Sequence, residues 1–184
     1  MKDNIILIGF MGCGKTSVGI KLSYQMKRTM IDTDKWIEQN QKMTVSEIFD
    51  AFGEEEFRRL ETRCLRKLVA GPGRQIISTG GGLPMRKENH PLLKELGKVF
   101  YLRVSPETVY ERLKNDTTRP LLQVENPKER IRTLLLDRGP VYEACADVII
   151  DVSELSFEEI LDSILENANE ICSRPCLWRK GKMK

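Results

Sequence analysis

Apolar residues along this chain fall into two alternating patterns. Short, nearly continuous runs rich in β-branched residues are separated by longer stretches in which apolar positions recur every three or four residues. Residues 4–8 (NIILI) read as a buried strand, and residues 15–27 as a helix with Val18, Leu22 and Met26 on one face. Residues 29–32 form a second short strand that ends in the acidic cluster Asp32-Thr33-Asp34. Three helices are expected over 36–40, 45–52 and 54–69, the last threaded by Phe57, Leu60, Cys64, Leu65 and Leu68. A third strand at 75–79 (QIIST) runs into Gly80-Gly81-Gly82, and a fourth covers 98–104. Ser105-Pro106-Glu107 opens the next helix as N-cap, first-position proline and first-turn acid. Residues 115–127 are polar, proline-bearing and aperiodic, which predicts a loop. A helix over 127–137, a fifth strand over 146–151 and a closing helix over 156–171 complete the pattern. Strands alternating with helices predict an α/β fold built on a parallel sheet with crossover helices.

The length of 184 residues fits one domain over 1–172, followed by a basic tail over 173–184 that is expected to be poorly ordered. No apolar run approaches the ~20 residues of a transmembrane helix, and the N-terminal residues lack a leader pattern, so a cytoplasmic protein is expected. The net charge of +3 is unevenly placed: the tail holds five Lys/Arg and no acid, which leaves −2 for residues 1–172. Without a broad basic surplus, nucleic acid is not an expected partner, nor is a membrane. The five cysteines, Cys13, Cys64, Cys145, Cys172 and Cys176, are scattered without a CxxC pair, and the single histidine, His90, has no cysteine nearby. A structural zinc site is not expected; reduced thiols are.

Gly9-Phe10-Met11-Gly12-Cys13-Gly14-Lys15-Thr16 fits the phosphate-loop pattern G-x-x-x-x-G-K-[ST], between an apolar strand and an amphipathic helix. The glycines let the backbone wrap so that its N–H groups face phosphate oxygens, and the following helix adds the positive end of its dipole. Lys15 would reach the β- and γ-phosphates, and the Thr16 hydroxyl would ligate Mg²⁺. A nucleoside triphosphate is therefore the expected ligand. No N-K-x-D guanine reader and no LSGGQ-like signature occurs, and the chain is too short for a motor domain, so a kinase acting on a small molecule remains.

Such an enzyme needs a carboxylate near the acceptor hydroxyl and cations around the transferring charge. Asp32 and Asp34 end the second strand, where an open α/β sheet places its ligand crevice. On an extended segment they would point to opposite sides and do different jobs, although a helix N-cap could claim one of them. His90, in a polar segment before Pro91, offers no base. Gly80-Gly81-Gly82 would let backbone approach a ligand. Arg58 and Arg59 could pair with Glu55, Glu56 or Glu61 one turn away, and Arg138-Gly139-Pro140 reads as a helix end.

Together these blocks resemble the shikimate kinase family. GKTSVG is close to the family's GKSTVG run, and Asp32-Thr33-Asp34 stands at its D-x-D position. Phe57-Arg58-Arg59-Leu60-Glu61 is similar to its F-R-x-x-E segment, and Ser78-Thr79-Gly80-Gly81-Gly82 to its triple-glycine turn. Arg119-Pro120-Leu121-Leu122 is similar to the lid's R-P-L-L, and Arg138 to Tyr142 to its R-x-x-x-Y. The six blocks fall in the family's order over residues 4–165.

The resemblance implies a P-loop kinase of three layers, α/β/α, with a five-stranded parallel sheet in the order 2-3-1-4-5 and a lid loop. It implies ATP-dependent phosphorylation of the shikimate 3-hydroxyl, a step of chorismate and aromatic amino acid biosynthesis, with Mg²⁺ as cofactor, by a monomer. ATP would be held by Gly12, Cys13, Gly14, Lys15, Thr16 and Ser17, with Arg112 along the adenine and Arg119 folding in on the lid. Asp34 would bind the shikimate hydroxyls and act as base, Arg58 and Arg138 would clamp the carboxylate, and Gly80, Gly81 and Gly82 would offer backbone. Asp32 would hold Mg²⁺ through water, and Phe49 and Phe57 match positions lining the acceptor pocket. Three features depart from the family pattern: Cys13 stands where Ala or Ser is common, Thr16-Ser17 reverses the more usual Ser-Thr order, and Val152-Ser153-Glu154-Leu155 offers no adenine contact. A gluconate-type kinase shares the loop and a similar fold, and a catalytically dead nucleotide-binding module is the alternative from another class.

Overall fold

A computed structural model describes residues 2–114 and 124–168. Its strands are β1 (Ile5–Ile8), β2 (Thr29–Asp32), β3 (Gln75–Ser78), β4 (Lys98–Arg103) and β5 (Val148–Asp151). They form one parallel sheet in the order β2-β3-β1-β4-β5, as the resemblance implies. In the central register Ile5 lies opposite both Ile76 and Lys98, and Ile8 opposite Tyr101. Every β1 residue is buried, which is what a strand covered on both faces by helices requires.

The helices are α1 (Lys15–Met26), α2 (Thr33–Gln41), α3 (Val45–Ala70), α4 (Asn89–Leu96), α5 (Pro106–Leu113), α6 (Pro127–Cys145) and α7 (Phe157–Asn167). A 3-10 turn spans Leu83–Met85. Ser105 caps α5 ahead of Pro106, and Ser156 closes a capping box with Glu159 at the start of α7. Among the described residues no helix is long and apolar enough to cross a membrane.

Four elements differ from the sequence reading. The helix after β2 begins at Thr33 rather than at residue 36, because Asp32 caps it. The two helices expected over 45–52 and 54–69 are two arms of α3, broken at Gly53, whose φ of 79° and ψ of 171° are not helical. Residues 89–96, read as a polar segment, form α4. Pro91 is tolerated there because the first-turn N–H groups of a helix have no partner to lose, and the His90 ring nitrogen Nε2 lies 2.7 Å from the Pro84 carbonyl.

Arg138-Gly139-Pro140 does not end a helix: α6 runs through it to Cys145. Pro140 cannot donate to the carbonyl of residue 136, but Leu136 is 76% exposed, so water can serve that oxygen. Burial of Ile131, Leu134, Tyr142 and Cys145 holds the two halves of α6 in line.

Candidate active site

The turn between β1 and α1 is shaped by three glycines with positive φ: Gly9 at 143°, Gly12 at 76° and Gly14 at 96°. L-residues rarely adopt these conformations, so the spacing of the motif is a backbone requirement. Gly14 caps α1 without any side chain, which leaves the first-turn N–H groups of the helix to an anion. The Lys15 ammonium folds back over the loop, donating to the carbonyls of Gly9 and Phe10 at 2.9 Å each, with the Cys13 sulfur at 3.6 Å. Buried Cys13 thus packs beneath the lysine.

Asp32 and Asp34 diverge, but not by strand alternation. Asp32 is the last residue of β2 and the N-cap of α2; its Oδ1 accepts from the N–H groups of Asp34 and Lys35 at 3.1 and 3.3 Å. Its other oxygen, Oδ2, accepts from the Thr16 hydroxyl at 3.1 Å. Asp34 sits in the first turn of α2, rotated toward the triple glycine. A Cβ added to Gly80 would lie 2.5 Å from Asp34 Oδ1 and 2.6 Å from Glu61 Oε1, so Gly80 leaves the room that two carboxylates occupy. The Gly80 N–H itself donates to the Thr33 hydroxyl at 2.9 Å.

Arg58, on the second arm of α3, is built into the same corner. Its Nη1 donates to Glu61 Oε2 at 2.7 Å, and its Nε and Nη2 donate to Glu54 Oε1 at 3.2 and 2.7 Å. Burial works against the Arg58 charge, but Glu61 and Glu54 outweigh it and hold its pKa above the ordinary value. The Glu61 carboxyl is pushed up to about 7, first by burial, while Arg58 pulls it back and the charges of Asp34 and Glu54 add to the rise. Phe57 and Phe49 pack beside this corner with ring centroids 4.9 Å apart, and the Arg58 guanidinium carbon lies 5.6 Å from the Phe57 ring centre.

On the other side of the triple glycine, the Tyr142 hydroxyl donates to the Gly81 carbonyl at 2.6 Å. Burial raises the Tyr142 pKa, against the pull of the neighbouring Arg138 charge and a hydrogen bond between the two side chains. The Arg138 guanidinium lies 5.8 Å from the ring centre of Phe10, inside the phosphate loop.

One cleft of about 480 Å³ joins the phosphate loop to the two aspartates and Gly81. Its wall includes Gly12, Cys13, Gly14, Lys15, Thr16, Ser17, Asp32, Asp34 and Gly81. Arg112 is on the same wall and anchors itself by donating to the carbonyls of Gly12 and Val152, at 3.0 and 3.5 Å. Arg58, Gly80, Gly82 and Arg138 are not on that wall: Gly80 and Gly82 flank Gly81 in the chain, Arg58 lies against Gly82, and Arg138 bonds to Tyr142, which holds the Gly81 carbonyl. Arg119 and residues 115–123 of the loop expected over 115–127 lie outside the described residues. Two groups escaped the sequence reading. Glu61, in the F-R-x-x-E segment, reads as a helix-surface partner of Arg58 with no site role, whereas its side chain is fully buried. Phe157 and Ile160 of α7 line the cleft beside Arg112, although the segment after β5 offered no visible adenine contact. A capped serine followed by an aromatic residue was the available signal for the latter.

A phosphate loop whose helix starts beside an acidic β2–α2 junction, in a sheet of this order, defines a P-loop kinase of small molecules. The family model "Shikimate kinase" matches residues 11–169. The chain is 48% identical to a shikimate kinase of Thermodesulfovibrio yellowstonii over 163 residues, covering 89% of this chain and 93% of that one. The structure of the Acinetobacter baumannii shikimate kinase in complex with shikimate superposes with a TM-score of 0.84 at 36% identity, covering 91% and 94% of the two chains. A gluconokinase from Sinorhizobium meliloti, at 16% identity and a TM-score of 0.55, shares the fold alone. The chain belongs to the shikimate kinase family.

Proposed function

We propose that this chain transfers the γ-phosphoryl group of ATP to the 3-hydroxyl of shikimate, giving shikimate 3-phosphate and ADP in aromatic biosynthesis. The observation that carries this reading is the single cleft that holds the phosphate loop and Asp34 together, with Arg58 locked against the triple glycine beside it.

In this reading the uncapped start of α1 receives the phosphates, and Lys15 leaves the carbonyls of Gly9 and Phe10 to follow the charge that develops on the transferring group. Thr16 and Asp32 are the groups that would hold Mg²⁺. Their hydroxyl and carboxylate are already 3.1 Å apart and are hard oxygen donors, the kind this ion selects. When bound, the ion neutralises phosphate charge. Among the described residues no group of three or more His, Cys, Asp or Glu side chains could hold a metal ion, which suits one that keeps waters and shares the phosphates.

Asp34 orients the acceptor hydroxyl and takes its proton. Arg58, against Gly82, and Arg138, beside Tyr142 and Phe10, grip the acceptor carboxylate. Phe157, Ile160 and Arg112 form the nucleobase end of the cleft, and Arg119 closes over the phosphates from the lid. A monomer in the cytoplasm, without nucleic-acid or membrane partners, completes the reading. The test is ADP release from ATP and Mg²⁺ with shikimate as sole acceptor, run beside gluconate. Turnover with gluconate and not with shikimate would replace this reading with the sugar-acid alternative.

A further inference from the structure

Arg58 offers a carboxylate two edges, and its own helix fills both. On the Nη1 edge stands Glu61, whose side chain is 0% exposed. On the Nε/Nη2 edge stands Glu54, whose side chain is 64% exposed. The two partners are not equivalent. A buried carboxylate that leaves its guanidinium strands a charge away from water, whereas an exposed one exchanges its partner for water at little cost. Glu61 is therefore the permanent partner that sets the direction of the guanidinium, and Glu54 is the exchangeable one.

The edge that Glu54 covers is the one that recognises carboxylates best. Nε and Nη2 form a fork whose two parallel N–H groups match the two oxygens of a carboxylate. Glu54 fills this fork with one oxygen only, Oε1, at 3.2 and 2.7 Å. It does so from the first position after the Gly53 break in α3, where the chain re-enters the helix. An incoming carboxylate with two oxygens to offer fits the fork better than its present occupant.

We propose that Glu54 is a resident competitor for the acceptor carboxylate: it covers the Arg58 fork until the acceptor docks, leaves as it does, and so weakens the hold of the site on any anion that uses that fork. This inference rests on Arg58 being the acceptor clamp. A simple anion that meets only Arg58 must displace Glu54 without compensation. The acceptor adds contacts at Asp34 and Arg138 and displaces it readily. Glu54 thus sets how tightly the site takes an anion, the preference among anions coming from Asp34 and Arg138, and Arg58 keeps its aim throughout because Glu61 never leaves.

The experiment compares wild type with Glu54→Gln, Glu54→Asp, Glu56→Gln and Arg58→Ala. At saturating ATP it reads KM for shikimate and the inhibition constant of inorganic sulfate competing with shikimate. Glu54→Gln should lower both by about 2- to 5-fold, the range an exposed ion pair commands, with KM for ATP unchanged. Glu54→Asp keeps the charge but falls short of the fork, and should shift both in the same direction. Glu56→Gln removes the same charge from the same helix, two residues on, and should shift neither. A rise in KM for shikimate in Glu54→Gln, or no change, overturns the proposal. A wild-type Glu54→Asp beside a shifted Glu56→Gln also overturns it, since net charge alone would then be responsible. Should Glu54→Gln not fold, Glu54→Asp carries the test. Wild-type affinity in Arg58→Ala would instead remove the clamp itself, a distinguishable failure.

Discussion

Gly82 and Arg58 share one space. A Cβ added to Gly82 would lie closer than 3.0 Å to the Nη1, Cζ and Nη2 atoms of Arg58. The guanidinium rests flat against the glycine, held there by buried Glu61. The triple glycine therefore serves side chains as well as backbone: Gly80 makes room for two carboxylates and Gly82 for an arginine.

Gly82→Ala should consequently spare the fold and damage the acceptor site. The overlapping atoms are the end of a flexible side chain, so Arg58 moves rather than the backbone. Loss of one charged hydrogen bond, about 1.5–3 kcal/mol, corresponds to a rise of about 10- to 150-fold in KM for shikimate. Steady-state kinetics with each substrate varied in turn should find KM for ATP near that of wild type.

Lys15→Ala tests the other end of the cleft. Its ammonium rests on the loop carbonyls and the Cys13 sulfur and has no hydrogen-bond partner outside the loop among the described residues. The variant should fold normally and lose kcat by orders of magnitude, because stabilisation of charge in the transition state is what disappears. Thermal unfolding measured beside turnover separates the two effects.

Arg58 lies against the triple glycine and Arg138 joins it through Tyr142, from positions 80 residues apart in sequence. Replacing either with Ala should weaken shikimate binding by about 10- to 150-fold, and Lys should restore only part of it, since a point charge lacks the fork. An analogue whose carboxylate is a neutral amide should separate wild type from both variants: wild type prefers shikimate strongly, and each variant loses most of that preference.

Glu61 makes stability depend on pH in a stated direction. Its folded-state pKa of about 7 lies above the ordinary value of 4.5, so the folded chain binds this proton more tightly than the unfolded chain does. The stabilising contribution is complete below the unfolded value and is lost as pH rises through about 7. Glu61→Gln keeps a hydrogen-bonding oxygen for Arg58 and removes the titration. Urea unfolding at about pH 5 and about pH 8 should show wild type losing on the order of 1–3 kcal/mol relative to the variant over that interval.

How far these residues can be read from the sequence depends on whether their constraint is local. The phosphate loop is legible because its glycines are demanded by positive φ and its lysine and threonine by fixed spacing. Four of the five strands are legible as short apolar runs, and β2 (TMID) by its place before the acidic junction. Asp32 was open to two roles, and the structure gives it a cap and a contact with Thr16 together. Arg138 was misplaced at a helix end because Gly139-Pro140 is a local stop signal; buried Tyr142 and Cys145, which carry α6 onward, act through tertiary packing. Glu61 reads as a surface charge because an i,i+3 partner is visible in the sequence and the triple-glycine turn that buries it is not. Gly82 carries no sequence sign of the arginine it accommodates.

The central claim is that a phosphoryl group moves from ATP to one hydroxyl of shikimate. Phosphorus and proton NMR of a reaction holding the enzyme, ATP, Mg²⁺ and shikimate tests it most directly. The account predicts one new phosphomonoester, formed in step with ADP and coupled to the proton on carbon 3. ADP formation that ignores shikimate and yields only inorganic phosphate, or a phosphate on another hydroxyl, would contradict it.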